Sequence, residues 1–330
     1  MNIDKISQLV EKNYGVKVQS LEELNERDGQ YVLLAETSGG KLILRLCSPE
    51  RSYQQVLSDI GVLKLLNEAK FPVSHLHPTI TEQRVWEWQT GSWAYALDYI
   101  EGEQPEMDLP TLNWLAQTLA QVHLVVDKPA EFPVKVNWLD DLALSISRAE
   151  AASTHPKWGK LAREVATNLK ALPDLHGLPL GLIHTDAHEG NIVQSPEGKL
   201  YLIDWEYTGV GEMVLDVALV LAWLCVWPQE SKNSLFGDAP DKYDFDEEYC
   251  RNFLTSYQQI RRLSQREMNQ LGVAVRFVIG WYAARDIENE VNEAGSSDGL
   301  AFTHWAILRS VTPAWERRLT QWAQESQPNS

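Results

Sequence analysis

The 330-residue chain is 44% apolar and 23% charged, ordinary proportions for a folded protein and far from those of a disordered one. Its 29 basic against 46 acidic residues give a net charge of -17, which disfavours nucleic acid and anionic membrane as partners and favours cations. The cysteines Cys47, Cys225 and Cys250 are widely spaced without a CxxC pair, and the longest uncharged apolar run, Val217 to Trp227, is too short for a bilayer, so the expected location is the cytoplasm.

Apolar residues at Ile3, Ile6, Leu9 and Val10 predict an N-terminal helix. VQSLEELN, QYVLLAET and KLILRLC then read as three short strands divided by ERDG and TSGG, an antiparallel meander. Helical spacing returns between Ser52 and Ala69 at Val56, Ile60, Leu63 and Leu66. FPVSHLHPTI is an irregular connector, and VWEWQTGSWAYALDYI gives two more strands around a turn at Gly91. Residues 1–101 are therefore expected to form a strand-rich unit with an internal helix. After the polar stretch EGEQPEMDLP, helical patterns begin with Leu112 to Val125 and fill most of residues 102–330. The exception is Gly181 to Tyr207, where GLIHTDAH, NIVQ and LYLIDW are short apolar pieces broken at Gly190 and SPEG. The predicted fold class is α+β with two lobes, and the tail QESQPNS is expected to be loose.

The stretch HTDAHEGN admits three chemistries. Period-two spacing would put His184, Asp186 and His188 on one strand face, donors that suit zinc or iron, but no second His/Cys cluster supplies further ligands at a familiar interval. A nucleophile relay lacks a GxSxG or a suitably framed cysteine. The third reading uses Asn191, five residues after Asp186, and Asp204, eighteen residues after it and directly behind an apolar strand. Phosphoryl transfer needs an acceptor for a hydroxyl proton and oxygen ligands for magnesium beside a triphosphate, and Asp, Asn, Asp meets that need.

These residues resemble the kinase pattern H-R-D-x-x-x-x-N followed by a metal aspartate on the next strand, with Thr185 in place of the Arg and Trp205-Glu206 in place of Phe-Gly. The departures point to the aminoglycoside phosphotransferase and choline kinase superfamily, which GLIHTDAHEGNIVQSPEGKLYLIDWEYTGVGEMVLDVA resembles along its whole length. The resemblance implies a bilobal protein-kinase-like fold, with a small antiparallel-sheet N-lobe (1–101) covering the nucleotide and a larger, mostly helical C-lobe (102–330) carrying the catalytic loop, metal site and substrate pocket. It implies a small-molecule kinase that uses magnesium and ATP, Asp186 as the catalytic base or as the group that orients the substrate hydroxyl, and Asn191 and Asp204 as metal ligands. By the same resemblance His184 braces the loop, Asp216 ties the following helix to it, and His188 is open to a helix-cap or a substrate role. Arg45 takes the place of the basic residue that meets the phosphates, Lys41 is its understudy, and Asp59 matches its usual acidic partner. LDYIEG, with Tyr99 and Ile100, resembles the hinge whose backbone reads adenine. NERDGQY carries one glycine, so a Gly-rich phosphate cradle is absent from the sequence.

Thirteen tryptophans are many for this length. GWYAARDIENEVNEA, Gly280 to Ala294, sets Trp281 and Tyr282 near Asp286, Glu288 and Glu290, which would suit an ammonium-bearing alcohol through cation-π and ion-pair contacts. An amphipathic helix with its aromatics in the core fits the same residues. Glu206 is open to a structural role or to facing such a cation, and the acidic stretch Phe236 to Glu248 to a lid or a solvated loop. The resulting expectation is transfer of the ATP γ-phosphoryl group to a hydroxyl of a small, amine-bearing acceptor such as an aminoglycoside or amino-alcohol. The alternative is a catalytically silent kinase-like binding protein, which would have no need for base and metal ligands together.

Overall fold

In the computed structural model, residues 2–27, 29–129, 132, 134, 136, 138–229, 240, 242–293 and 299–328 are described. The chain opens with helix α1 (Ile3–Tyr14), strands β1 (Val18–Arg27), β2 (Gln30–Thr37) and β3 (Gly40–Leu46), helix α2 (Tyr53–Glu68), and strands β4 (Leu76–His77), β5 (Trp86–Gln89) and β6 (Ser92–Asp98). Helices α3 (Leu109–His123), α4 (Leu142–Ala151) and α5 (Gly159–Lys170) follow, then β7 (Leu180–Ile183), β8 (Ile192–Gln194), β9 (Leu200–Leu202) and β10 (Gly209–Glu212). The remainder comprises α6 (Met213–Leu224), β11 (Val226–Pro228), β12 (Tyr243–Phe245), α7 (Glu247–Gln258), α8 (Gln265–Asn292), α9 (Leu300–Ser310) and α10 (Pro313–Glu325). Among the described residues no helix is long and apolar enough to cross a membrane.

The chain divides into two compact units, residues 1–105 with 190–208, and residues 106–189 with 209–330. In the first, an antiparallel sheet has the order β1-β2-β3-β6-β4, with β5 also paired to β6. Alternation along β3 turns Leu42, Leu44 and Leu46 towards a core shared with Ile6, Val10 and Tyr14 of α1 and with Trp86 and Trp88. Burying each such leucine contributes about 1.5–3 kcal/mol. Lys41, Ile43 and Arg45 take the other face. The register Leu42↔Asp98 and Arg45↔Tyr95 fixes that face against β6. Helix α2 begins in a reciprocal cap between Ser52 and Gln55.

A single cut at residue 101 does not separate the units, because the hairpin β8–β9 belongs with the sheet rather than with the helices. Glu103 bridges to Gln194, and the Leu202 amide donates to the Pro72 carbonyl at 3.1 Å. Gly102 makes this close approach feasible: at φ +156° a Cβ there would lie 2.2 Å from the Gln194 carbonyl oxygen.

In the second unit the long helix α8 is central, packing against α4, α5, α6, α9 and α10. Helix α6, MVLDVALVLAWL, is buried along nearly its whole length and carries one ionisable residue, Asp216. A buried carboxylate of this kind has to be satisfied by hydrogen bonds. Strand β7 pairs antiparallel with β10 and delivers the chain to His184. Gly181 allows β7 to lie close to α3 and α6, since a Cβ there would meet the His123 carbonyl at 2.3 Å and Met213 Sδ at 2.4 Å. Part of the acidic stretch from Phe236 is ordered as β12 and the start of α7, while residues 236–239 and 241 lie outside the described residues.

Candidate functional site

In the sheet unit, Arg45 is the point of convergence. Its Nη2 lies 3.0 Å from Asp204 Oδ1 and its Nη1 3.3 Å from Glu206 Oε1, with only a tenth of its side chain exposed. Burial opposes the guanidinium charge, but Glu206 and Asp204 outweigh it and hold the pKa above the usual arginine range. Glu206 also accepts from the Tyr95 hydroxyl at 3.3 Å and from the Gln30 side-chain amide. Glu206 is thereby enclosed in a protein network. The alternative role in facing a cationic substrate is not what the structure shows, because Arg45, Tyr95 and Gln30 already take up its carboxylate oxygens.

Asp204 follows β9 and Asn191 precedes β8, and the Ile203 amide donates to the Asn191 carbonyl at 2.9 Å, continuing the ladder Ile192↔Leu202. The two side chains expected to bind metal therefore leave neighbouring ends of one hairpin. An amide oxygen and a carboxylate suit a hard divalent cation such as magnesium, which normally keeps phosphate and water oxygens as its other ligands. Among the described residues no group of three or more His, Cys, Asp or Glu is arranged to hold a metal on its own. Asp204 has φ +63°, and Tyr207 has the same value, a left-handed backbone that costs a non-glycine residue about 1–3 kcal/mol and that the surrounding structure must impose.

The expected pairing of Asp59 with Arg45 is corrected. Asp59, buried in α2, binds Arg51 at 2.6 Å, and the Arg51 guanidinium lies 4.8 Å from the Tyr207 ring centroid. Arg51 comes from the loop between β3 and α2, so neither strand nor helix periodicity signals it. Its Nη1 and the Nε of Arg45 are buried without a hydrogen-bond partner among the described residues. Lys41 is half-exposed, 3.7 Å from Glu36 and 5.4 Å from the Tyr99 ring centroid. The Tyr99 amide donates to the Lys41 carbonyl at 3.3 Å. Tyr99 and Ile100 line a cavity of about 320 Å³ with Val73, His75, Lys199 and Tyr201. A larger cavity of about 620 Å³ near α5 and the α9–α10 corner contains none of the expected site residues.

In the helical unit, residues 184–188 form a bend rather than a strand, with Thr185 at φ +73°. The single strand face imagined for His184, Asp186 and His188 therefore does not exist. His184 is fully buried, and its amide donates to Asp216 Oδ2 at 2.6 Å while the Thr185 amide donates to Asp216 Oδ1 at 2.9 Å. The Asp186 amide in turn donates to His184 Nδ1 at 3.3 Å. One buried carboxylate thus fixes two successive amides of the loop and leaves the Asp186 side chain 44% exposed.

Asp216 is itself backed by a chain of buried polar groups absent from the sequence reading. His123 Nε2 lies 3.2 Å from Asp216 and its Nδ1 2.6 Å from the Tyr257 hydroxyl. That hydroxyl accepts from Arg261, which pairs with Glu267 at 2.6 Å. Burial holds the His123 imidazole below the usual histidine range, Asp216 opposing. The available signal was a lone histidine on the apolar face of α3, alongside Leu112, Leu115 and Leu119.

Asp186 Oδ2 lies 3.5 Å from His188 Nε2, and Asp186 Oδ1 accepts from the Tyr282 hydroxyl at 3.3 Å. Of the two readings of this part of α8, the described residues fit the helix with packed aromatics and not the ammonium receptor. Asp286 is buried and bound to His304 Nδ1 at 2.7 Å and Arg285 Nε at 3.0 Å. The rings of Trp281 and Tyr282 already carry a cation, the Arg285 guanidinium, at 5.2 and 4.6 Å. Glu288 pairs with Arg148 at 2.8 Å. The acids that looked available in the sequence have partners within the protein.

The family model described as Phosphotransferase enzyme family matches residues 21–253. Thiamine kinase of Escherichia coli O157:H7 is 32% identical over 124 residues, 38% of this chain and 42% of that protein, and thiamine kinase of Shigella dysenteriae serotype 1 matches to the same extent. The chain thus matches less than half the length of these curated relatives. Among solved structures, an amicoumacin kinase bound to AMP-PNP, Ca2+ and Ami superposes with a TM-score of 0.66 at 14% identity, covering 95% of this chain and 96% of that one. A microcompartment-associated aminopropanol kinase gives 0.61 at 16% identity, covering 97% and 98%. Choline kinase LicA from Streptococcus pneumoniae gives 0.60 at 18%, covering 93% and 97%. The α+β, protein-kinase-like fold is common to all three.

Proposed function

Because this chain belongs to the phosphotransferase enzyme family, we propose that it moves the γ-phosphoryl group of ATP to a hydroxyl of a small molecule. The observation that carries this reading is the Arg45–Asp204 ion pair, which joins a basic residue of β3 to the aspartate behind β9 across 159 residues of sequence. Arg45 would meet the phosphates, Asn191 and Asp204 would hold magnesium, and the backbone at Tyr99 and Ile100 would read the adenine edge. Bound magnesium would draw negative charge from the phosphate oxygens. Asp186 accepts the hydroxyl proton as the acceptor oxygen attacks, while Asp216 and His184 keep the loop bent so that its carboxylate stays presented. Such chemistry is mainly positioning and charge neutralisation, without a covalent enzyme intermediate.

The names of the thiamine, choline and aminopropanol kinases and the net charge of -17 support an amine-bearing acceptor. Trp281, Asp286 and Glu206 give that part of the proposal no support, since each is engaged within the protein. Three buried free thiols and dependence on ATP support a cytoplasmic location.

Screening hydroxylated amines with γ-labelled ATP tests the reaction and the acceptor together. Asp186→Asn is expected to lower turnover about 10²- to 10⁴-fold, the contribution of a general base, with nucleotide affinity retained. Equal turnover in wild type and variant removes Asp186 from this role. A nucleotide-induced thermal shift with no transfer across the panel would instead indicate a binding protein.

A further inference from the structure

The geometry points to Tyr282 as a positioning residue for Asp186, an inference that rests on the reading of Asp186 as the base. The two residues are 96 positions apart, and the 3.3 Å hydrogen bond from the phenol to Oδ1 connects α8 to the loop. Oδ2 is left on the side of His188, 3.5 Å away. The carboxylate thereby has two distinct oxygens, one accepting from the Tyr282 phenol and one facing His188.

The phenol is fitted for this task. Its ring is buried among aromatic neighbours: Trp281, Trp223 and His304, with centroids 4.9, 5.4 and 5.5 Å away. The Arg285 guanidinium lies over the ring at 4.6 Å, and Arg285 and His304 are both bound to the buried Asp286. A ring held in this way cannot rotate away from Asp186 without disturbing that ion pair. Burial pushes the phenol pKa far above its ordinary value and the Asp186 carboxylate adds to the rise, with Arg285 opposing, so the hydroxyl stays a donor. What resembled a receptor for a cationic ligand thus serves as the mount of a hydrogen-bond donor. A donor to a carboxylate oxygen stabilises the ionised form and restricts rotation about the carboxylate bond, so Tyr282 sets both the direction and the basicity of Asp186.

Carboxyl-carbon NMR of the full chain labelled with 13C-aspartate tests this without any acceptor, the Asp186 signal being identified by its loss in Asp186→Asn. Tyr282→Phe removes one oxygen and keeps the ring. In that variant the Asp186 titration midpoint is expected to rise by about half to one pH unit, the equivalent of one net hydrogen bond. An unmoved midpoint, with the thermal midpoint retained, overturns the inference. A reciprocal measurement needs no change at Tyr282: in Asp186→Asn the 13Cζ signal of Tyr282 should shift, and an unchanged signal counts equally against the contact. Failure of either leaves the turnover of Asp186→Asn untouched, whereas full activity in Asp186→Asn would remove the base assignment and leave the hydrogen bond standing.

Discussion

Residues of the candidate site are defined by how completely their charges are used. Arg45 is the clearest case, because two carboxylates from the far side of the β8–β9 hairpin neutralise it inside the sheet unit. Removing Glu206 leaves Arg45 paired with Asp204 alone and the Tyr95 hydroxyl without this acceptor, so Glu206→Ala should cost about 1–3 kcal/mol of stability, and Glu206→Gln, which keeps a hydrogen-bond acceptor, distinctly less. Urea denaturation of the two variants checks the order, and equal stabilities would show that the pair is not a structural element. Asp186, Asn191 and Asp204 were legible in the sequence because one short motif holds them at fixed spacing. The contacts of Arg51 with Asp59 and of Tyr282 with Asp186 were not, because Arg51 lies in an irregular loop and Tyr282 is 96 residues from Asp186. Periodicity identifies which face of a helix is apolar but not which distant loop a hydroxyl on that face will meet.

At the level of elements, the bend at His184 and Thr185 is held by Asp216 of α6, which is itself bound by His123 of α3. The burial of α6 explains why Asp216 has no option but to bind amides and an imidazole. Strand β7 must come close enough for this, and Gly181 is where it does. Gly181→Ala places a methyl group against the His123 carbonyl and Met213. It should destabilise the protein by about 1–3 kcal/mol, as overpacking does, and lower turnover along with stability. Thermal unfolding with a parallel transfer assay tests it, and an alanine variant with an unchanged midpoint would contradict the close packing. Most strands of the sheet unit were readable from alternation, and β4 was not, since two residues in an irregular connector leave no period to detect.

For the whole molecule, two buried histidines weaken the fold in acid, against Asp59, whose carboxyl burial pushes up to about 7. In the unfolded chain each imidazole gains its proton below about pH 6.5, whereas burial holds His123 and His304 below that range in the fold, Asp216 and Asp286 opposing. The unfolded state therefore binds more protons below pH 6.5. The contribution of the two histidines is full above that pH and falls as pH drops towards the folded values, by up to about 1.4 kcal/mol per pH unit for each. Denaturation profiles of Asp59→Asn, which removes the opposing carboxyl, at pH 7.5, 6.5 and 5.5 should show the decline begin at the middle value, and a flat profile there would refute it. The division of the chain into two units has a consequence for recombination with its kin. Since 190–208 folds with the sheet, a chimera spliced once near residue 101 would inherit Arg45 from one parent and its neutralising carboxylates from the other. A viable graft has to carry both segments together, so inheritance in this fold follows the ion pair rather than the order of the chain.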